Sequence, residues 1–314
     1  MEENNILCKF YNKRYCLPVY SGTLAIEGLL KSLKLKNTDK VLISSISCYS
    51  ILEAILNAGL TPIIATPKNG ILFTIEELKK IVKQEKIKVY IAVHQYGYYQ
   101  ELPKINNLIV IEDLSQTWNL KKKDGTKIEY YGDYLIQSLG SSKPLSNSIG
   151  GLILSDIDIS KNFDLKTKKS RMTKSKLLEY YYPLKINYKK IIAKANKKIF
   201  NQRYNAKKFN SIFAGKKSID IFSNDNYSSC YHRYVIKVNR TIVDQLINIF
   251  EKAKINYELE YKLKLSDLPI INEYKIKTLN NYSSGEDIVV LLKTNNSLFN
   301  INKLKKEMEK FYEG

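Results

Sequence analysis

Residues 112–151 read EDLSQTWNLKKKDGTKIEYYGDYLIQSLGSSKPLSNSIGG, and this stretch decides the fold. It begins where the apolar run Asn107-Leu-Ile-Val-Ile-Glu-Asp113 ends. A short run rich in β-branched residues suits a buried strand of a parallel sheet. Asp113 then stands at the carboxyl end of that strand, the edge at which open α/β sheets bind ligands. Downstream come Gly132-Asp133, the small-residue segment Ser138-Leu-Gly-Ser-Ser-Lys143, and the pair Gly150-Gly151.

Working outward toward the N-terminus, Lys88 to His94 reads as a strand and Ile75 to Lys83 as an amphipathic helix. Thr61-Pro-Ile-Ile-Ala and Lys40-Val-Leu-Ile-Ser-Ser read as strands, joined by a helix over Ile51 to Gly59 that ends on its glycine. Tyr20-Ser-Gly-Thr23 opens a further helix, with apolar residues at 26, 29, 30 and 33 on one face. Residues 1–19 read as a lead-in without an assigned element. The order is that of an α/β domain with a mostly parallel sheet. Toward the C-terminus, residues 160–204 are rich in lysine and helical in tendency, broken at Tyr180-Tyr-Tyr-Pro183. A smaller α/β unit follows: a strand over Tyr231 to Val238, a helix over Ile242 to Ala253, a strand from Asp287 and a terminal helix over Ile301 to Tyr312. The expected division is 1–200 for a large domain with its connecting segment and 201–314 for a small one.

A carboxylate at a strand end, a lysine among small residues and a glycine pair together suit pyridoxal phosphate. That cofactor needs a lysine amine for its aldehyde and a carboxylate for its pyridine nitrogen. It also needs hydroxyl and backbone N–H groups for its phosphate. The motifs Asp113-Leu-Ser-Gln116, Gly132-Asp133, Ser138 to Lys143 and Gly150-Gly151 resemble, in order and spacing, those of the DegT/DnrJ/EryC1/StrS sugar aminotransferases. The resemblance implies a fold type I pyridoxal phosphate transferase, specific over the first 150 residues and looser beyond. It implies that Lys143 carries the cofactor and moves a proton, and that Asp113 pairs with the ring nitrogen. It implies that Gln116 contacts the ring hydroxyl and that Ser138, Ser21, Gly22 and Thr23 take the phosphate. Cys48 stands where the family carries an aromatic ring over the pyridine, and Tyr49 beside it is the other candidate for that contact. Asn187, in Asn187-Tyr-Lys189, resembles an asparagine that reaches the phosphate of the partner subunit. Related dehydratases have histidine where Lys143 stands. His94 lies in a segment similar to the family's V-H-x-Y-G turn, near the substrate or simply hydrogen-bonded within its loop. His232 and Arg233 are expected to be structural. The implied activity is transfer of an amino group, from glutamate, to a nucleotide-linked keto-sugar by a homodimer. A non-catalytic protein on the same scaffold is the alternative.

Composition bounds the other classes. The formal net charge is +20 over 314 residues. Such a charge suits nucleic acid or a membrane surface. The lysines are scattered, however, and Lys, Asn, Ile and Tyr share A/T-rich codons, so the charge reads mainly as coding bias and a nucleic-acid partner is not expected. Part of it can serve a diphosphate. No stretch approaches the roughly 20 apolar residues of a membrane span. The polar start Met1-Glu-Glu-Asn-Asn does not read as a secretion signal. Cys8, Cys16, Cys48 and Cys230 lack metal-like spacing and read as reduced thiols of a cytoplasmic protein. With two histidines, no metal site is expected.

Overall fold

A computed structural model describes residues 5–160, 163, 186–224, 226–259, 264–280 and 287–313. The expected break at 180–183 lies outside them.

The large sheet is built from apolar runs whose alternate residues serve two cores. Its strands are β1 (Tyr15–Val19), β2 (Lys40–Ser44), β3 (Thr61–Thr66), β4 (Ile87–Val93), β5 (Ile109–Asp113), β7 (Tyr134–Ser138), β8 (Gly151–Ser155) and β13 (Lys277–Asn280). Their spatial order is β1-β8-β7-β5-β4-β2-β3-β13. β7, β5, β4, β2, β3 and β13 run parallel, while β8 is antiparallel to both β7 and β1. Val89, Ile91 and Val93 of β4 point into one core with α2 (Gly22–Ser32) and α3 (Tyr49–Asn57). Tyr90 and Ala92 point into the opposite core, with α4 (Ile75–Glu85). A strand covered on both faces is apolar along nearly all its length, and in β4 only half-buried Lys88 near its start departs from that. Helix α4 begins with a reciprocal capping box between Thr74 and Glu77. Such a box satisfies two helix-terminal donors at once.

Four strands of this sheet, β1, β7, β8 and β13, carry no assignment from the sequence, and the two at its edges show why. β1 holds Pro18, which has no N–H to donate, and it lies at the sheet edge, where that loss is tolerated. β13 is short and polar, and it forms the other edge against β3. The chain therefore leaves the large sheet after β8 and comes back to it at residue 277.

α1 (Asn5–Tyr11) packs Leu7 and Tyr11 with Trp118, Leu152 and Leu154 in a third core. The 26-residue helix α5 (Tyr188–Phe213) runs unbroken across residue 200. Its N-terminal half packs Ile191, Ala195 and Ile199 into that third core. Its C-terminal half packs Ala206, Phe209 and Phe213 against the small sheet.

The small sheet is antiparallel, with order β12-β14-β11-β9: β9 (Ile219–Ile221), β11 (Arg233–Asn239), β12 (Tyr257–Leu259) and β14 (Asp287–Lys293). The two-residue strands β6 (Lys121–Lys122) and β10 (Tyr227–Ser228) pair with each other. In β11 the period of two again separates two jobs. Tyr234, Ile236 and Val238 pack with α6 (Val243–Ala253) and α8 (Leu298–Glu313). Val235 faces the other way and joins Val289 and Leu291 against Ile46, Ile71 and Tyr98 of the large-sheet region. The short helix α7 (Pro269–Glu273) supplies Ile270 and Ile271 to the large-sheet core.

Candidate active site

Strand register brings the motif residues to one edge. Asp113 pairs with Val93 on one side and Ile136 on the other. Ser138 pairs with Gly151, which pairs with Val19. The carboxyl ends of β4, β5, β7 and β1 therefore lie together, with α2 starting beside them. Buried Asp113 accepts the Ser115 N–H on Oδ1 at 2.8 Å. Ser115 Oγ in turn accepts the Ser138 N–H at 3.1 Å. Ser138 Oγ accepts the Gly140 N–H at 3.4 Å. Ser21 caps α2, its Oγ accepting the Leu24 N–H at 3.1 Å.

Two glycines allow this closeness. A Cβ on Gly22 would lie 2.9 Å from Ser138 Cβ, and one on Gly151 would lie 2.4 Å from the Ser21 carbonyl oxygen. The helix start that carries Gly22 and Thr23 is thus pressed against Ser138. First-turn N–H groups have no intrahelical acceptor, and together with serine hydroxyls they suit a phosphate.

A cavity of about 410 Å³ has a wall that includes Cys48, Tyr49, Gln116, Lys143, His232 and Arg233. Cys48 and Tyr49 both reach it, and Ser50 Oγ donates to Cys48 Sγ at 3.1 Å. Three buried polar atoms in the wall lack a protein partner: Ser47 Oγ, Gln95 Oε1 and His232 Nδ1. Buried polar atoms are normally paired, so these point to a bound ligand or water.

A knot of backbone contacts places the small-sheet side of the wall. Tyr96 and Gly97 have φ of 57° and 92°. The Tyr96 N–H donates to Gln116 Oε1 at 2.9 Å. The Cys230 N–H donates to the Gly97 carbonyl at 3.0 Å. A side chain at 97 would meet Cys230 Sγ at 2.7 Å and the His232 nitrogen at 2.8 Å. Only glycine suits that combination of left-handed backbone and contact. Contrary to expectation, His232 and Arg233 therefore face the cavity. Arg233 also holds Glu258 through two bonds of 3.3 and 3.2 Å.

Burial, with Arg233, Lys143 and Lys198 nearby, lowers the His232 pKa to about 3. The ring is neutral at ordinary pH. An unfolded histidine takes a proton near pH 6.5, so between pH 6.5 and 3 the unfolded chain binds more protons and stability falls as the pH falls. Up to about 3 kcal/mol should be lost between pH 6.5 and 4 from this group. Urea unfolding across that range should show a steeper decline for the wild type than for His232→Gln; parallel curves would refute the assignment.

Lys143 follows a tight turn, its N–H donating to the Gly140 carbonyl at 3.0 Å. Lys198 Nζ donates to the carbonyls of Ser142 and Lys143, both at 3.1 Å, and fixes that loop from α5. Burial is the main reason that the Lys198 pKa is lowered. A second cavity, about 460 Å³, lies along the same loop and is lined by Lys143, Asn187, Lys190, Lys194 and Lys198. Asn187 Oδ1 caps α5, accepting the Lys190 N–H at 2.9 Å.

The predicted residues thus divide. Cys48, Gln116 and Lys143 share the first cavity. Asp113, Ser138, Ser21, Gly22 and Thr23 gather at the carboxyl edge of the sheet and are not among the residues that line it. Asn187 lies in the second, with Lys143 common to both. His94 is structural: Nδ1 accepts the Gln100 N–H at 2.9 Å, so Nε2 carries the proton and donates to Glu112 at 2.8 Å. Glu112 also accepts the Gly132 N–H at 2.6 Å, and Asp133 accepts the Val110 N–H at 2.8 Å. The Gly-Asp motif therefore locks β5 and β7 rather than facing a ligand. Ser115 and Lys198 were missed. The serine two residues after Asp113 was a readable turn signal; Lys198 looked like any other lysine.

The sequence matches the DegT/DnrJ/EryC1/StrS aminotransferase family over residues 3–177, more than half of its length. The chain belongs to that family. It is 27% identical over 168 residues to the GDP-perosamine synthase of Escherichia coli O157:H7, a match covering 49% of this chain and 46% of that one. The match thus spans less than half of that relative. Solved structures share the fold across almost the whole chain, among them the following two. Helicobacter pylori PseC, an aminotransferase of pseudoaminic acid biosynthesis, has a TM-score of 0.74 at 17% identity, covering 99% of this chain and 90% of that one. The E. coli GDP-4-keto-6-deoxy-D-mannose-3-dehydratase with hydrated PLP has a TM-score of 0.75 at 16% identity, covering 98% and 90%. The expected α/β fold, a mostly parallel sheet flanked by helices with a smaller C-terminal unit, is the one observed.

The residues present fit pyridoxal phosphate. A lysine amine is at the cavity wall, a buried carboxylate is at the strand end, and a serine meets a helix start closely enough that any side chain on Gly22 would intrude. Among the described residues no group of histidine, cysteine and carboxylate side chains is arranged to hold a metal ion, and no helix is long and apolar enough to cross a membrane.

Proposed function

We propose that this chain is a pyridoxal phosphate-dependent aminotransferase that moves an amino group, from glutamate, to a nucleotide-linked keto-sugar, as a cytoplasmic homodimer. The observation that carries the reading is Lys143, set on a fixed loop at the wall of a cavity bordered by Gln116 and His232. Dehydratases on this fold are implied to carry histidine at that position, so the lysine supports amino transfer.

When bound, the cofactor supplies an electron-withdrawing ring that makes a carbon–hydrogen bond beside nitrogen acidic. Lys143 Nζ would hold the cofactor and, once free, would hold and move a proton at the reacting carbon. Asp113, which accepts the Ser115 N–H, would pair with the ring nitrogen through a charge-assisted hydrogen bond and so favour its protonated form. Gln116, its Oε1 held by the Tyr96 N–H, would contact the ring hydroxyl; Ser138, Ser21, Gly22 and Thr23 would hold the phosphate, and Cys48 or Tyr49 would pack over the ring.

Pyridoxal phosphate added to the purified protein should give a visible absorbance band that borohydride removes. Glutamate should then bleach the band with release of 2-oxoglutarate. No band with any amount of cofactor would refute the enzyme reading. A band that glutamate leaves untouched would refute the donor.

A further inference from the structure

Two thiols near the N-terminus lie outside the residues assigned above. We propose that Cys8 and Cys16 form a reversible oxidation site, a dithiol that hydrogen peroxide converts to a disulfide joining α1 to β1. The inference stands independently of the aminotransferase reading.

The fold turns the two cysteines toward each other. Helix α1 ends at Tyr11, Asn12 takes a left-handed φ of 54°, and the Lys13 N–H donates back to the Cys8 carbonyl at 2.9 Å. β1 then runs along the sheet edge, with Cys16 opposite Leu154 and Pro18 opposite Leu152. Residues directly opposite in an antiparallel pair share a face. Leu152 and Leu154 pack with Leu7 and Tyr11 of α1, so Cys16 lies on the face that α1 covers, and it packs against that core itself.

There the two thiols are hydrogen-bonded to each other. Both are free, Cys8 8% exposed and Cys16 half-buried, so a small reagent can reach the pair. A buried cysteine often serves only as a small apolar side chain. This pair differs, because the hydrogen bond from Cys16 draws the Cys8 pKa down from 9.0 to about 7. The same bond, and then burial, raise the pKa of Cys16. One sulfur is therefore largely a thiolate near neutral pH, and the other keeps its proton beside it. A low-pKa thiolate next to a resolving thiol is the arrangement in which oxidation stops at a disulfide.

The step balances with peroxide as the oxidant. The Cys8 thiolate attacks one peroxide oxygen, the O–O bond breaks, and the departing hydroxide takes a proton to become water. Cys8 is then a sulfenic acid. The Cys16 sulfur attacks the Cys8 sulfur, the S–O bond breaks, and the hydroxyl leaves with the Cys16 proton as a second water. Two electrons pass from the sulfurs to the peroxide.

Peptide mapping of the full chain tests the site. The reduced protein, freed of reductant, is treated with hydrogen peroxide without denaturant and digested without reductant. Trypsin cuts after Lys9 and Arg14, so the bond should appear as residues 1–9 joined to residues 15–31, and dithiothreitol should separate them. Cys16→Ser should lose the joined peptide and let Cys8 advance to sulfinic acid, which dithiothreitol does not reverse. The rate of joining should rise about tenfold from pH 6 to 8 and then level off, as a thiol with a pKa of about 7 requires. Only unlinked peptides from the treated wild type overturn the inference, whatever the variant does. Links to Cys48 or Cys230 in place of this one overturn it, as does a link that forms only in urea. A rate that still climbs tenfold per unit above pH 8 overturns the Cys8 thiolate as the attacking group.

Discussion

Lys143→Ala should lower the rate of amino transfer by roughly 10⁴-fold or more, the scale seen when a covalent participant is removed from its working unit. The fold should barely notice. The contacts that set the loop are made by backbone atoms: the Lys143 N–H to Gly140, and the Ser142 and Lys143 carbonyls to Lys198. Alanine keeps all of them, so urea midpoints should agree within about 0.5 kcal/mol. The visible band with pyridoxal phosphate should vanish, and mass spectrometry after borohydride should find the cofactor on Lys143 in the wild type and nowhere in the variant. A variant that keeps most of the wild-type rate would remove Lys143 from the mechanism. A variant that loses rate only because it unfolds would show it in the urea midpoint.

Gly151→Ala should do the reverse and damage the architecture that the chemistry stands on. A Cβ there would lie 2.4 Å from the Ser21 oxygen, 2.5 Å from the Ser21 carbonyl carbon and 2.7 Å from the Gly22 nitrogen. All three are backbone atoms, so no flexible side chain can swing aside. Either α2 shifts away from Ser138 or β8 leaves its register with β7 and β1. Overpacking of this kind costs about 1–3 kcal/mol, and backbone against backbone belongs at the upper end. The helix start should also no longer meet Ser138, so affinity for pyridoxal phosphate should fall at least about 100-fold. Urea unfolding and a cofactor titration read the two effects separately. Wild-type values in both would mean that the start of α2 does not need this close approach.

The parts legible in the sequence were those where one physical demand dominates. Strands buried on both faces are apolar over their central positions, and β2 to β5 could be read for that reason. The helices with a cap or a clear apolar stripe, α4 and α6, were equally plain. β1 was hidden because Pro18 argues against a strand until its edge position is known. β13 was hidden because a polar edge strand carries almost no pattern. At the site, Asp113, Gln116, Ser138 and Lys143 came from motif resemblance, and the structure adds Ser115 as the physical link between the first and third of them. His232 and Arg233 were placed by the Tyr96–Gly97 turn, whose left-handed backbone and contact with residues 230–232 join distant parts of the chain. Long-range closeness of that kind leaves no local signal. Asn187 illustrates the same limit, since the helix cap it forms here and the partner contact implied by resemblance call for the same residue type.

The return of the chain at β13 sets a schedule for synthesis. β3 is complete in sequence once residue 66 has been added, yet the strand that covers its outer edge starts only at 277. At roughly 5–20 residues per second, about 200 residues take some 10–40 s. Throughout that interval the nascent chain displays an open row of N–H and C=O groups along Thr-Pro-Ile-Ile-Ala-Thr, a template for pairing with a neighbouring copy on the same message. Pro62, which cannot donate to such a row, and the charges of Lys40 and Glu85 close by are the devices available to keep that edge solitary until Lys277 arrives and closes on Glu85 at 2.8 Å.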